Sequence, residues 1–176
     1  MQNPAAEELR LPQASADALR AAVEEAQRDR ATQERHASAV REVVYRLDQG
    51  TLRVAEKDSG GWKIHGWIQQ AINLFFGLAQ SETYSAGDLQ FFDKIPPKRP
   101  SGDFRVVPPG VVRYGAHVEK GAIVMPGYVN IGARVGAGAW STPGRPSGPA
   151  PRWDAASTSP VAWASAACSS RRERGR

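Results

Sequence analysis

Val-Val-Arg-Tyr-Gly-Ala (111–116), His-Val-Glu-Lys-Gly-Ala (117–122), Ile-Val-Met-Pro-Gly-Tyr (123–128), Val-Asn-Ile-Gly-Ala-Arg (129–134) and Val-Gly-Ala-Gly-Ala (135–139) repeat in sixes, and the repeat stops at Trp140. Val111, Ile123, Val129 and Val135 head the hexads, with His117 the weak member. Gly115, Gly121, Gly127, Ala133 and Ala139 put a small residue four positions later. A period of six is neither that of a helix nor that of an ordinary strand. It predicts a left-handed parallel β-helix, in which each hexad forms one side of a triangular coil, its apolar residue pointing to the axis and its small residue turning the corner. Five hexads make fewer than two coils, where about three stacked repeats are the least that holds.

Upstream, the pattern is helical. Ser15 and Asp17 are caps for a helix in which Leu19, Ala22, Val23 and Ala26 share a face. Val40, Val43, Val44 and Leu47 mark a second helix, with Gly50 placed to end it in the left-handed conformation. Leu52, Val54 and Ile64 flank Gly60-Gly61 and predict a two-stranded hairpin. Trp67, Ile68, Ala71, Ile72 and Phe75 give a third helix, whose broad apolar face packs on the first two or on another subunit. Gly77, Pro96, Pro97 and Pro100 predict loop with short extended pieces over residues 78–104. The expected class is α+β, with a helical domain and its connecting loops (1–104), the start of the β-helix (105–139) and an aberrant, disordered tail (140–176).

That tail is different in kind. It holds five prolines and six arginines against Asp154 and Glu173, so it carries +4 of the chain's net +5. Such a composition buries too little apolar surface to offset chain entropy. An arginine-rich terminus can neutralise phosphates, but no aromatic platform accompanies it, and nucleic-acid binding is the weakest reading. Cys168, the single cysteine, excludes a disulfide framework and a thiolate metal site. Glu7 and Glu8 with no apolar core argue against a signal peptide, and no run reaches the roughly 18 apolar residues of a membrane helix. A cytoplasmic protein is expected.

His36, His65 and His117 lack a metal-ligand spacing and read as surface or packing residues. Trp62 and Trp67 lie in apolar patterns and read as core. Lys57-Asp58 and Asp93-Lys94 read as exposed turn charges of little energetic weight. Arg105 is different, because it stands at the mouth of the hexads between Phe104 and the apolar Val106-Val107-Pro108-Pro109. A ligand role and a structural ion pair are equally open for it.

Four strings carry a resemblance: Leu52-Arg53-Val54-Ala55-Glu56-Lys57, Phe92-Asp93-Lys94-Ile95-Pro96, Phe104-Arg105-Val106-Val107-Pro108-Pro109 and Met125-Pro126-Gly127-Tyr128-Val129-Asn130-Ile131-Gly132-Ala133. In order and spacing the chain resembles, over about residues 39–139, the tetrahydrodipicolinate N-succinyltransferases of lysine and diaminopimelate biosynthesis. The resemblance implies a trimer with active sites between neighbouring β-helices. It implies succinyl-coenzyme A as co-substrate, a small dicarboxylate substrate, no bound cofactor and no metal. On this resemblance Arg105 binds the dicarboxylate, for which a planar fork is suited.

After Gly138 the family continues Ala-Met-Val-Asp-Thr-Trp, and its Asp takes part in substrate binding. This chain has Ala139-Trp140-Ser141-Thr142-Pro143-Gly144 instead, so the catalytic residue has no counterpart here. Codons chosen for these residues, read one base out of phase, give Met-Val-Asp-Thr-Trp. The same operation recovers family-like sequence from Arg145 to Asp154 and from Trp163 to Glu173, with valines back in the period of six. The expectation is a one-nucleotide deletion near the codon for Ala139. It leaves an acyltransferase family member that is itself inactive, a non-catalytic fragment or an assembly module.

Overall fold

The computed structural model describes residues 14–29, 32–99, 101–140, 146–147 and 152–153. Helix α1 (Ala16–Arg28) starts where Ser15 Oγ accepts from the Ala18 N–H at 3.1 Å, and Asp17 in its first turn suits the positive end of the helix. Leu19, Val23 and Ala26 are buried, and Arg20 pairs with Glu24 on the outer side. Helix α2 (Ala37–Gln49) buries Val40, Val43, Val44 and Leu47. It ends at Gly50, whose φ of 75° is left-handed and whose N–H bonds to the carbonyls of Arg46 and Leu47. Helix α3 (Gly66–Leu78) buries Ile68, Ala71, Ile72 and Leu74, with Trp67 and Phe75 packed at the margin. The three apolar faces meet in one core, as their spacing predicts.

Strands β1 (Ala55–Asp58) and β2 (Gly61–Ile64) form the expected hairpin, its turn held by a 2.8 Å bond from the Gly60 N–H to Asp58 Oδ1. Leu52 and Val54 lie before the strand, and Val54 enters the helical core. Trp62 does not read as expected. At 55% exposure it stands in solvent beside Ile64, because a two-stranded ribbon has no second layer over that face. The described residues between 78 and 104 also hold a hairpin that the prolines do not suggest. Strands β3 (Glu82–Ala86) and β4 (Leu89–Asp93) pair antiparallel from Glu82↔Asp93 to Ala86↔Leu89, and Gly87 supplies the positive φ of the tight turn. The adjacent Phe91 and Phe92 mask the alternation that would have announced β4.

From Arg105 the chain returns alongside itself in parallel. Strands β5 (Arg105–Val106), β6 (Val111–Val112), β7 (His117–Val118), β8 (Ile123–Val124), β9 (Tyr128–Val129) and β10 (Arg134–Val135) form three ladders, β5 with β8, β6 with β9 and β7 with β10. The buried positions are Val112, Val118, Val124, Val129 and Val135, with Ala116, Ala122, Ala133 and Ala139 beside them. The inward register expected for the first three hexads is therefore one residue early: Val111, His117 and Ile123 are half-buried and Val112, Val118 and Val124 point inward. The step from Val124 to Val129 is five residues rather than six, so the two frames coincide only after Gly127. Pairs that span this short step, such as Val111↔Tyr128 and His117↔Arg134, are 17 residues apart, whereas Arg105↔Ile123 is 18. His117 was never a weak core position, since Val118 fills it.

The tail departs from expectation as well. Trp140 bridges Ile123, and β11 (Pro146–Ser147) and β12 (Arg152–Trp153) add parallel rungs to β9 and β10. Backbone pairing needs no particular side chain, which is why composition gave no sign of it. The disorder expected for the other tail residues beyond Trp140, and Cys168 with them, lies outside the described residues.

Candidate functional site

Arg105 opens the first rung. Its backbone N–H donates to the Ala122 carbonyl at 3.0 Å, and the Val107 N–H to the Val124 carbonyl at 2.8 Å, which fixes the strand on β8. Because side chains alternate across a strand, Val106 packs against the interior and Arg105 faces out. The guanidinium is exposed and makes no hydrogen bond or ion pair among the described residues. The structural ion pair left open by the sequence is absent there. In register beside it stand Ile123 and then the exposed Trp140. This outer column offers a free cation next to apolar surface, an arrangement that can receive a carboxylate.

Other charged groups are engaged. Arg113 reaches Asp93 Oδ2 at 2.6 Å and Asn130 Oδ1 at 3.2 Å, and lies over the rings of Phe76 and Tyr128 at 5.6 and 5.2 Å. Asp93 is thus no idle turn charge, since it ties the β3–β4 hairpin to the ladders. Burial pushes the Tyr128 phenol up, opposed by Arg113 and aided by Asp93. Lys94, by contrast, is exposed and caps the Phe76 carbonyl.

Asp48, near the end of α2, joins the helices to the ladders. Its carboxylate takes Lys98 Nζ at 2.7 Å and the Gly115 N–H at 3.0 Å, while its carbonyl lies 3.1 Å from His117 Nδ1. Arg134 bonds Glu119 at 2.7 Å and reaches the Gly50 carbonyl at 3.3 Å. Ile131 crosses over to pack in the helical core. Burial first, then Asp48, raises the Tyr114 phenol well above its usual range. Sequence reasoning passed over Asp48, although one signal was present: an acid in the last turn opposes the helix dipole and needs a partner.

The histidines stay apart. His36 faces Glu25 at 3.4 Å, His65 faces Glu56 at 3.5 Å, and His117 packs at the junction. Among the described residues no three His, Cys, Asp or Glu side chains converge as metal ligands, and no helix is long and apolar enough to cross a membrane. An open cleft of about 560 Å³ lies between α1 and the start of α3, lined by Arg20, Arg28, Lys63, His65 and Trp67 among others. Arg105 is not part of it.

Residues 18–78 match the family model described as tetrahydrodipicolinate N-succinyltransferase N-terminal, so the likeness begins earlier than the four strings suggest. The 2,3,4,5-tetrahydropyridine-2,6-dicarboxylate N-succinyltransferase of Azoarcus sp. (strain BH72) is 45% identical over 94 residues, 49% of this chain and 34% of the relative. Its namesake in Sodalis glossinidius (strain morsitans) is 42% identical over 113 residues, 60% of this chain and 40% of the relative. That of Herminiimonas arsenicoxydans is 42% identical over 96 residues, 49% and 35%. The chain therefore aligns with little more than a third of the length of these relatives. The model and the relatives agree on one name, and over the part of its length that they align with the chain is similar to the tetrahydrodipicolinate N-succinyltransferases.

Proposed function

We propose that the protein represents the N-terminal part of an N-succinyltransferase that moves the succinyl group of succinyl-coenzyme A onto the nitrogen of tetrahydrodipicolinate, in lysine and diaminopimelate biosynthesis. The observation that carries this reading is the shared name of relatives 42–45% identical to it. On this reading the parallel ladders that begin at Arg105 are the opening coils of a left-handed hexapeptide β-helix, and residues 1–104 are the helical domain before it. Three copies associate, and Arg105 takes one substrate carboxylate. Its guanidinium, exposed and without an ion pair among the described residues, supports that role. Acyl transfer further needs a base for the attacking amine and donors for the thioester oxyanion. The family's acidic residue would follow Ala139, where this chain has Trp140-Ser141-Thr142. The chain as it stands is therefore inactive, and the segment after Ala139 is the product of a one-base deletion.

Thiol release from succinyl-coenzyme A in the presence of tetrahydrodipicolinate tests both parts. We expect none from the 176-residue chain and turnover from a chain whose reading frame is restored after Ala139. A folded, restored chain without turnover would refute the substrate assignment. Turnover by the 176-residue chain would refute its inactivity, and resequenced DNA with no family sequence one base away would end the frameshift reading.

A further inference from the structure

We propose that His117 is a proton-operated latch between the helical core and the parallel ladders, closed when the ring is neutral and released when it takes a second proton. The inference is independent of the proposed reaction. His117 Nδ1 lies 3.1 Å from the Asp48 carbonyl, and a carbonyl only accepts, so Nδ1 carries the hydrogen and Nε2 is the nitrogen left to titrate. One side of the half-buried ring lies tight against Gly50: a Cβ there would be 2.5–2.6 Å from three of its atoms.

The charged neighbours are already committed. From α2 comes Asp48, whose carboxylate is held by Lys98 and the Gly115 N–H. Lys98 itself faces the ring from the segment after β4, and Arg134 from β10. Glu119, next to β7, is bonded to Arg134. The buried Tyr114 phenol also feels Asp48. A protonated ring adds a third positive charge to Lys98 and Arg134, and neither acid is free to take it as sole partner. Burial, then Arg134 and Lys98, keep its pKa below the usual histidine value, against the bond to Asp48 and the charge of Glu119. The folded state therefore favours the neutral ring, and stability is lost as pH falls below the unfolded histidine value of about 6.5. Leaving its place, the ring gives up Asp48, and the same turn of chain holds the bonds from Gly115 and Arg134.

Amide exchange on the full chain, corrected for intrinsic rates and read between about pH 7.5 and about pH 5, tests the latch. Protection of the Gly115 N–H should fall by roughly tenfold relative to Val44 in the wild type, and stay level in His117→Gln. No fall in the wild type, or the same fall in both, overturns the proposal. Ring titration by NMR needs no variant: His117 should titrate below the usual histidine value of about 6.5, and a midpoint at or above that value overturns it too.

Discussion

Gly50 and Gly138 both have positive φ, 75° and 63°, yet their surroundings separate two costs. At Gly138 a Cβ meets nothing within 4 Å, so Gly138→Ala should cost only the left-handed backbone penalty, about 1–2 kcal/mol. At Gly50 the same Cβ strikes the His117 ring, and Gly50→Ala should cost about 2–4 kcal/mol, the backbone penalty plus overpacking. Urea midpoints of the two variants test the difference, and equal losses would show that the ring yields freely. Glu119 gives a second test. Burial alone would raise its pKa, but the hydrogen bond and charge of Arg134 and the Ala137 N–H outweigh burial and lower it. A depressed carboxylate contributes stability above its unfolded pKa and loses it as pH falls through the folded value. Glu119→Gln should therefore flatten the acid limb of the melting temperature, by a small amount because the pair is part-exposed. A wild-type limb retained in the variant would refute that linkage.

At the scale of elements, the three helices were legible because apolar spacing, a Ser15 cap and a terminal Gly50 all agreed. The ladders were legible in period but not in phase. Doubled apolar residues at Val111-Val112 and Ile123-Val124 let either member be read as inward, and only the short step after Val124 decides between them. Paired substitutions test the phase. Val124→Asp buries an unpaired charge and should cost several kcal/mol, enough to unfold the coil, whereas Ile123→Asp on the outer side should cost about 1 kcal/mol. Circular dichroism melts of the two should differ accordingly, and the reverse order would restore the register read from the hexads alone. The β3–β4 hairpin was hidden for a different reason, since Phe91 and Phe92 of β4 are both exposed and follow no buried alternation.

Across the whole molecule, two buried clusters are joined through few groups, with Asp48 at the centre. Asp48→Asn leaves Lys98, with its side chain only 15% exposed, without its counter-charge and should cost about 3 kcal/mol in unfolding free energy. If the variant melts like the wild type, the junction is held by packing of Ile131 and Tyr114 instead. Apart from the acid in the last turn of α2, this joint was not legible from local pattern, because its members are up to 84 residues apart and individually ordinary. Arg105 was singled out by its neighbours, yet its orientation depends on a detail farther along the chain. Counting back in sixes from Val135 through Val129 arrives at position 105 and would aim the arginine into the buried valine cluster. The residue missing at the corner Met125-Pro126-Gly127 shifts the phase of everything upstream, and with it the guanidinium turns from the buried side of the ladders to the side that faces water.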